Sequence, residues 1–151
     1  MPTQRHFAVQ ATSTAPPGTV YRLLADAPSW TGWAGPLITR ARWEVMPRPD
    51  GAGGVRRLGR PPFMVREEIV VAEPPFHQGY RMVSGQPVRS YRADVRLVEL
   101  EGPAGRAPGT RIEWTGGVVA LVPGTGWLMR RLLRRMRHRF ARGLAVAAES
   151  A

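Results

Sequence analysis

The chain has no cysteine and no lysine, and nowhere does it run to the ~18 consecutive apolar residues that a membrane-spanning helix needs. Without cysteine there is no disulfide framework, no thiol nucleophile and no thiolate metal site, which suits a reducing compartment; the cytoplasm is the expected location. The opening "MPTQRHFAVQATST" lacks the apolar core of a secretion signal. His6, His77 and His138 stand far apart, so no zinc-type spacing arises and no metal is expected. Neither a serine in a nucleophile motif nor a glycine-rich strand-to-helix loop is found, and no cofactor is expected.

What is abundant is arginine. All 22 basic residues are arginine, against 11 acidic ones, giving a formal net charge of +11. Together with 17 glycines, 15 prolines and many alanines, this is the bias of GC-rich coding sequence. The charge therefore says less about a polyanionic partner than its size suggests, though it predicts salt-sensitive attraction to anions.

At 151 residues the chain is expected to form one domain over 1–151, with room for a substantial core. "RHFAVQATSTA" alternates, with Phe7, Val9 and Ala11 on one side, and reads as a strand. Pro16 and Pro17 then suit a helix start, with Val20, Leu23 and Leu24 as its apolar stripe, and Pro28 ends it. A turn carrying Trp30 and Trp33 follows. From about residue 38 to 118 strand follows strand: "ITRARWEVM", "VRRLG", "FMVREEIVVAEPP", "FHQGYRMVSGQPV", "SYRADVRLVEL" and "TRIEWTGGVVALV". "PRPDGAGG", "RPP" and "EGPAGRAPG" are turns or loops between them. Tyr91, Ala93, Val95 and Leu97 share one face of their strand, and Ile112 and Trp114 share one face of the next. The charges on the opposite faces could pair across the two strands.

The last element, from "PGTGWLMRRLLRRMRHRF" onward, is helical. Apolar residues at 129, 132, 133, 136, 140 and 144 step by three and four. Arg130, Arg131, Arg134, Arg135, Arg137 and Arg142 are expected to lie largely away from that stripe, and "AVAAES" to fray. A meander with one apolar face needs a cover, so this helix is expected to pack as a lid over the sheet, its arginines forming the solvated back.

Several segments also carry a resemblance together: "YRLLADAPSWTGWAGPL", "VREEIVVAEPP", "YRMVSGQPVRSYRADVRL", "GTRIEWTGG" and "PGTGWLMRRLLRRM". Their order and spacing resemble the START-like (SRPBCC) superfamily, often labelled polyketide cyclase/dehydrase and lipid transport, over roughly residues 4–148. The resemblance implies an α+β helix-grip fold, in which a curved antiparallel sheet grips a long C-terminal helix around a hydrophobic cavity. It further implies a lipid, sterol, polyketide or hormone as ligand, with cyclisation or dehydration in a minority of members. No universal catalytic motif comes with it.

By strand parity or helical phase, Trp33, Trp43, Phe63, Met82, Trp114, Trp127, Met136 and Phe140 are expected to point inward, lining an apolar pocket or filling a core. Tyr80 and Tyr91 would add hydroxyls. Glu67 shares parity with Phe63, Val65, Ile69 and Val71, so it faces inward unless a slip exchanges it with Glu68. A buried carboxylate needs a partner. It is either half of an internal ion pair, with an arginine such as Arg57, or a general acid/base or ligand anchor. Glu67, Tyr80 and Tyr91 are thus the candidate catalytic residues.

The leading functional expectation is a carrier or sequestering protein for a hydrophobic small molecule. A polyketide aromatase/cyclase-type enzyme is the alternative. A peripheral binder of anionic membrane or nucleic acid through the arginine-rich helix is the third, and a carrier making transient contact with an anionic membrane would combine two of them. No specific nucleic-acid partner is expected.

Overall fold

The computed structural model describes residues 3–102 and 109–151. Most of the loop expected at 101–109 lies outside them. Strand β1 (Arg5–Ser13) leads to helix α1 (Pro17–Ala25), then through a single 3-10 turn (Ala27–Ser29) to the short helix α2 (Trp30–Trp33). Strands β2 (Arg40–Val45), β3 (Val55–Arg60), β4 (Phe63–Glu73), β5 (His77–Ser84), β6 (Val88–Leu100) and β7 (Gly109–Ala120) follow, and helix α3 (Gly126–Glu149) closes the chain.

Consecutive strands β2 to β7 pair as antiparallel neighbours, and β1 returns to pair with β7, giving the sheet order β1-β7-β6-β5-β4-β3-β2. One face is wet. On it, Arg92 and Asp94 pair along β6, and Arg111 and Glu113 along β7, rather than across the two strands. The other face carries Phe7, Val9, Leu58, Ile69, Tyr80, Tyr91, Ala93, Val95, Leu97, Ile112, Trp114 and Val118, all buried beneath α1, α2 and α3.

Pro17 occupies the first helical position of α1, where its missing N–H costs nothing. Val20, Tyr21 and Leu24 form the buried stripe. In α3 the buried residues are Leu133, Arg137, Phe140, Ala141, Leu144, Ala145 and Ala148. The end of the helix does not fray. The Ser13 hydroxyl donates to the Ala145 carbonyl at 2.8 Å, and the Thr14 amide donates to Glu149 Oε1 at 3.1 Å. Gly143 lets the helix backbone lie directly against the Trp33 carbonyl, a spot that a Cβ would occupy.

The other end of α3 is different. Trp127, Leu128 and Leu132 are exposed, so the first turns lie on the surface and the packed stripe begins at Leu133. Leu132 stands eight residues before Phe140, about a quarter-turn off its line at 3.6 residues per turn. Trp127, thirteen residues before Phe140, points away from the core and is 57% exposed. Its expected inward position is thereby corrected. Phe63, 82% exposed, is corrected likewise. It starts β4 opposite Arg60 at the hairpin tip, beyond the reach of the helix layer.

Candidate functional site

The interior between β3–β7 and α3 holds a polar centre inside an aromatic shell. Arg56 on β3 and Glu67 on β4 are register partners, and both face inward. Arg56 is 0% and Glu67 1% exposed. Arg56 Nε donates to Glu67 Oε1 at 3.0 Å, and Nη1 reaches Gln78 Oε1 at 3.5 Å. Arg56 Nη2 also lies 3.0 Å from Glu67 Oε1, but off the hydrogen-bonding direction, so this buried nitrogen has no hydrogen-bond acceptor. The guanidinium is sandwiched, 4.3 Å from the Trp30 ring centre and 4.7 Å from that of Tyr80.

Arg137 enters from the helix, 3% exposed. Its Nε donates to Tyr91 Oη at 2.8 Å and to Tyr80 Oη at 3.1 Å, and its Nη2 lies 3.6 Å from Glu67 Oε2. The two tyrosine hydroxyls are 3.3 Å apart, and Trp114 Nε1 donates to Tyr80 Oη at 3.1 Å. One carboxylate is thus shared by two guanidiniums.

Burial raises the pKa of Tyr80 and pushes that of Tyr91 well above the ordinary tyrosine value, although the Arg137 charge pulls both the other way. Both hydroxyls are neutral at physiological pH and can donate. Burial works against the Arg137 charge, but Tyr80, Tyr91 and Glu67 outweigh it, and its pKa is raised. Arg137 is permanently cationic.

Of the residues expected here, Glu67, Tyr80, Tyr91, Trp114 and Phe140 converge. Trp33 joins through its contacts with Trp30 and Phe140, at ring-centre distances of 4.4 and 6.5 Å. Trp43, Met82 and Met136 are half-buried at the margin. Phe63 and Trp127 are not part of it. In place of an open apolar hollow, the side chains of Trp30, Trp33, Trp114 and Phe140 pack against one another here. Large hollows lie at the surface instead. One, of about 640 Å³, is bordered by Leu37, Leu132, Met136, Arg135, Arg139 and Arg142.

Arg56, Gln78 and Arg137 are the members that sequence reasoning missed. Arg137 was expected on the solvated back of α3, yet it lies four residues after Leu133, three before Phe140 and seven before Leu144. That spacing was a usable signal. Arg56 shares strand parity with the buried Leu58, whereas Arg57, the expected partner of Glu67, is on the other face with Glu44 and Arg66.

A curved antiparallel sheet around a long C-terminal helix, with two short helices closing one end, is the helix-grip architecture of START-like proteins. Residues 4–149 match the sequence profile described as polyketide cyclase/dehydrase and lipid transport, and the chain belongs to that family. No curated protein matches it. Among solved structures, it is similar to a START superfamily protein from Mycobacterium smegmatis, with a TM-score of 0.76 at 15% identity, covering 96% of this chain and 97% of that one. XoxI from Bacillus cereus gives 0.73 at 19% identity, covering 94% of each chain. A point mutant of norcoclaurine synthase from Thalictrum, solved with a transition-state analogue, gives 0.73 at 12% identity, covering 99% of this chain and 97% of that one. At these identities the likeness is one of fold.

Proposed function

We propose that the protein is a carrier for a hydrophobic small molecule bearing an acidic or strongly hydrogen-bond-accepting oxygen, a lipid-like or polyketide-like acid, enol or phenol. The family supplies the ligand class, and the polar centre supplies the choice of head group. The observation that carries this reading is the Arg56–Glu67–Arg137 triad: two buried guanidiniums share one carboxylate, and Arg56 Nη2 has no acceptor. A net positive charge and a spare donor deep in an apolar shell are costly unless an anion or acceptor completes them. Tyr80 accepts from both Trp114 and Arg137, which leaves the tyrosine pair a hydroxyl hydrogen to give. The centre is therefore rich in donors and short of acceptors.

Entry needs room, and the way in runs past the first turns of α3. That end has no fully buried side chain before Leu133 and is tied to β1 by Arg130, whose Nε donates to the His6 carbonyl at 2.6 Å, while the far end is pinned by Ser13, Glu149 and the close approach at Gly143. The aromatic cluster gives way as the N-terminal half of the helix lifts, and its rings then line the ligand's apolar body.

The alternative, an aromatase/cyclase-type enzyme, would use Tyr80 and Tyr91 as neutral donors to an enolate oxygen. It is less well supported as proton-abstraction chemistry, because the Glu67 carboxylate is already engaged by two guanidiniums. We place the protein's work in the cytoplasm, on the cysteine-free composition.

Native mass spectrometry of the purified protein, followed by denaturing extraction, tests the carrier reading. The expected result is a bound apolar molecule with a carboxyl, enol or phenol group, or uptake of a long-chain fatty acid by an empty preparation. Failure on both counts overturns the reading. So does an Arg137→Gln variant that folds and carries the same load unchanged.

A further inference from the structure

The corner between β7 and α3 gathers five of the eleven exposed large hydrophobic side chains among the described residues. Leu121, Val122, Trp127, Leu128 and Leu132 are all exposed there. Hydrogen bonds hold the corner in shape: the amide and hydroxyl of Thr125 both donate to the Val122 carbonyl, at 3.2 and 2.6 Å, and the Leu128 amide donates to the Thr125 carbonyl at 3.1 Å. This is a fixed display of branched aliphatics around a tryptophan.

Immediately behind it α3 itself carries charge of one sign, with Asp94 and Glu113 of the sheet bordering the hollows on its Arg130 and Arg134 side. Arg130, Arg131, Arg134 and Arg135 occupy the next turn and a half of α3, all exposed, and Arg139 and Arg142 continue along the same side. Between Glu113 and Glu149 there is no acidic residue. Arg5 and Arg89 border a hollow of about 480 Å³ against Val122, Pro123, Gly124 and Gly126, adding basic groups on the other flank. Leu132 and Met136 continue the apolar character into the groove walled by Arg135, Arg139 and Arg142.

We propose that this corner docks on an anionic lipid bilayer, with Trp127, Leu128, Leu121 and Val122 at the level of the head groups and the α3 arginines against lipid phosphates and carboxylates. Charge complementarity selects an anionic surface. The apolar residues select among anionic surfaces: a nucleic acid offers phosphates to the arginines but no apolar layer for two leucines and a valine. A tryptophan between apolar and basic groups suits the interface, where its ring is buried and its N–H stays wet. From Trp127 to Arg142 the helix rises about 22 Å at 1.5 Å per residue, so it would lie along the membrane plane rather than across it. No helix among the described residues is long and apolar enough to cross a membrane. The docking surface lies beside the entry proposed above, and its binding to vesicles is measured without the interior ligand.

The test is flotation of the full chain with vesicles of phosphatidylcholine alone, or with phosphatidylserine added to about one third, at low and high salt. Binding is expected only with the anionic lipid, falling at least ~10-fold between 0.05 and 0.5 M salt as screening shortens the reach of the arginines. Trp127→Ala, at an exposed position, should fold as the parent does and lose roughly 5-fold or more in partitioning. Arg131→Gln with Arg135→Gln should lose more, whereas Arg40→Gln with Arg42→Gln, at the far edge of the sheet, should change little. Equal binding to neutral vesicles overturns the proposal. So does unchanged partitioning of Trp127→Ala, or an equal loss in the far-edge variant, which would reduce the effect to net charge. Binding to duplex DNA as tight as that to anionic vesicles, with the same dependence on Trp127, would also overturn it.

Discussion

Arg137 and Arg56 put two guanidiniums among tryptophan, tyrosine and phenylalanine rings, and among the described residues Glu67 is the carboxylate that pairs with both. Removing its charge should cost more than any surface substitution. Glu67→Gln is expected to lower stability by about 3 kcal/mol or more, read as the shift in the urea midpoint, since two buried cations would then face each other uncompensated. A change below about 1 kcal/mol would mean that the triad is not closed as described. The tyrosines give a pH dependence of known sign. Their pKa is raised from 10.0 in the folded state, so below pH 10 both states are protonated and the contribution to stability is constant. Above it the unfolded chain ionises first, and stability falls as pH rises toward the folded value. Tyr91→Phe should flatten this alkaline loss in thermal melts between pH 9 and 11, and a parallel loss in both proteins would contradict the assignment. Parity along β4 was enough to turn Glu67 inward on paper. Choosing Arg56 over Arg57 needed the β3–β4 register, which pairs Arg56 with Glu67 and Arg57 with Arg66.

At the scale of elements, α3 is two helices in one. From Leu133 on it is packed, and its last turns are bonded to β1 and pressed against α2, while its first two turns present leucine, tryptophan and arginine to the surroundings, with Arg130 bonded to the His6 carbonyl. Gly143 is the closest point of the packed half. Alanine normally improves a helix interior by about 1 kcal/mol over glycine, yet here its Cβ would meet the Trp33 carbonyl. Gly143→Ala should therefore destabilise the protein, by about 1–3 kcal/mol for an overpacked contact, and loosen α2. A rise in the melting temperature would show that the contact gives way freely. The strands were readable because each has one wet face: alternation over 90–100 placed Tyr91, Ala93, Val95 and Leu97 correctly. The ends of elements were not. Phe63 and Trp127 follow the right chemistry but sit past the edge of the layer that would cover them, and sequence period carries no information about where a layer stops. Arg137 was lost for the opposite reason. Its phase was correct for burial, but a buried arginine becomes tolerable only through the tyrosines arriving from β5 and β6 and the Glu67 carboxylate from β4.

For the molecule as a whole, the two chemistries are segregated: a donor-rich aromatic interior, and an arginine-coated exterior with an apolar corner between β7 and α3. The pairing of β1 with β7 and α3 joins residues far apart in the sequence. Arg5 of β1 lies opposite Val118 of β7, and Ser13 bonds to Ala145, 132 residues away. A ribosome adding roughly 5–20 residues per second leaves β1 waiting on the order of ten seconds for its partner strand and its covering helix. During that interval a nascent chain carries an unpaired edge with Phe7 and Val9 uncovered, and the sheet cannot be completed until β7 has left the exit tunnel. Synthesis that halts before β7 and α3 thus yields an open, sticky sheet with its core face uncovered.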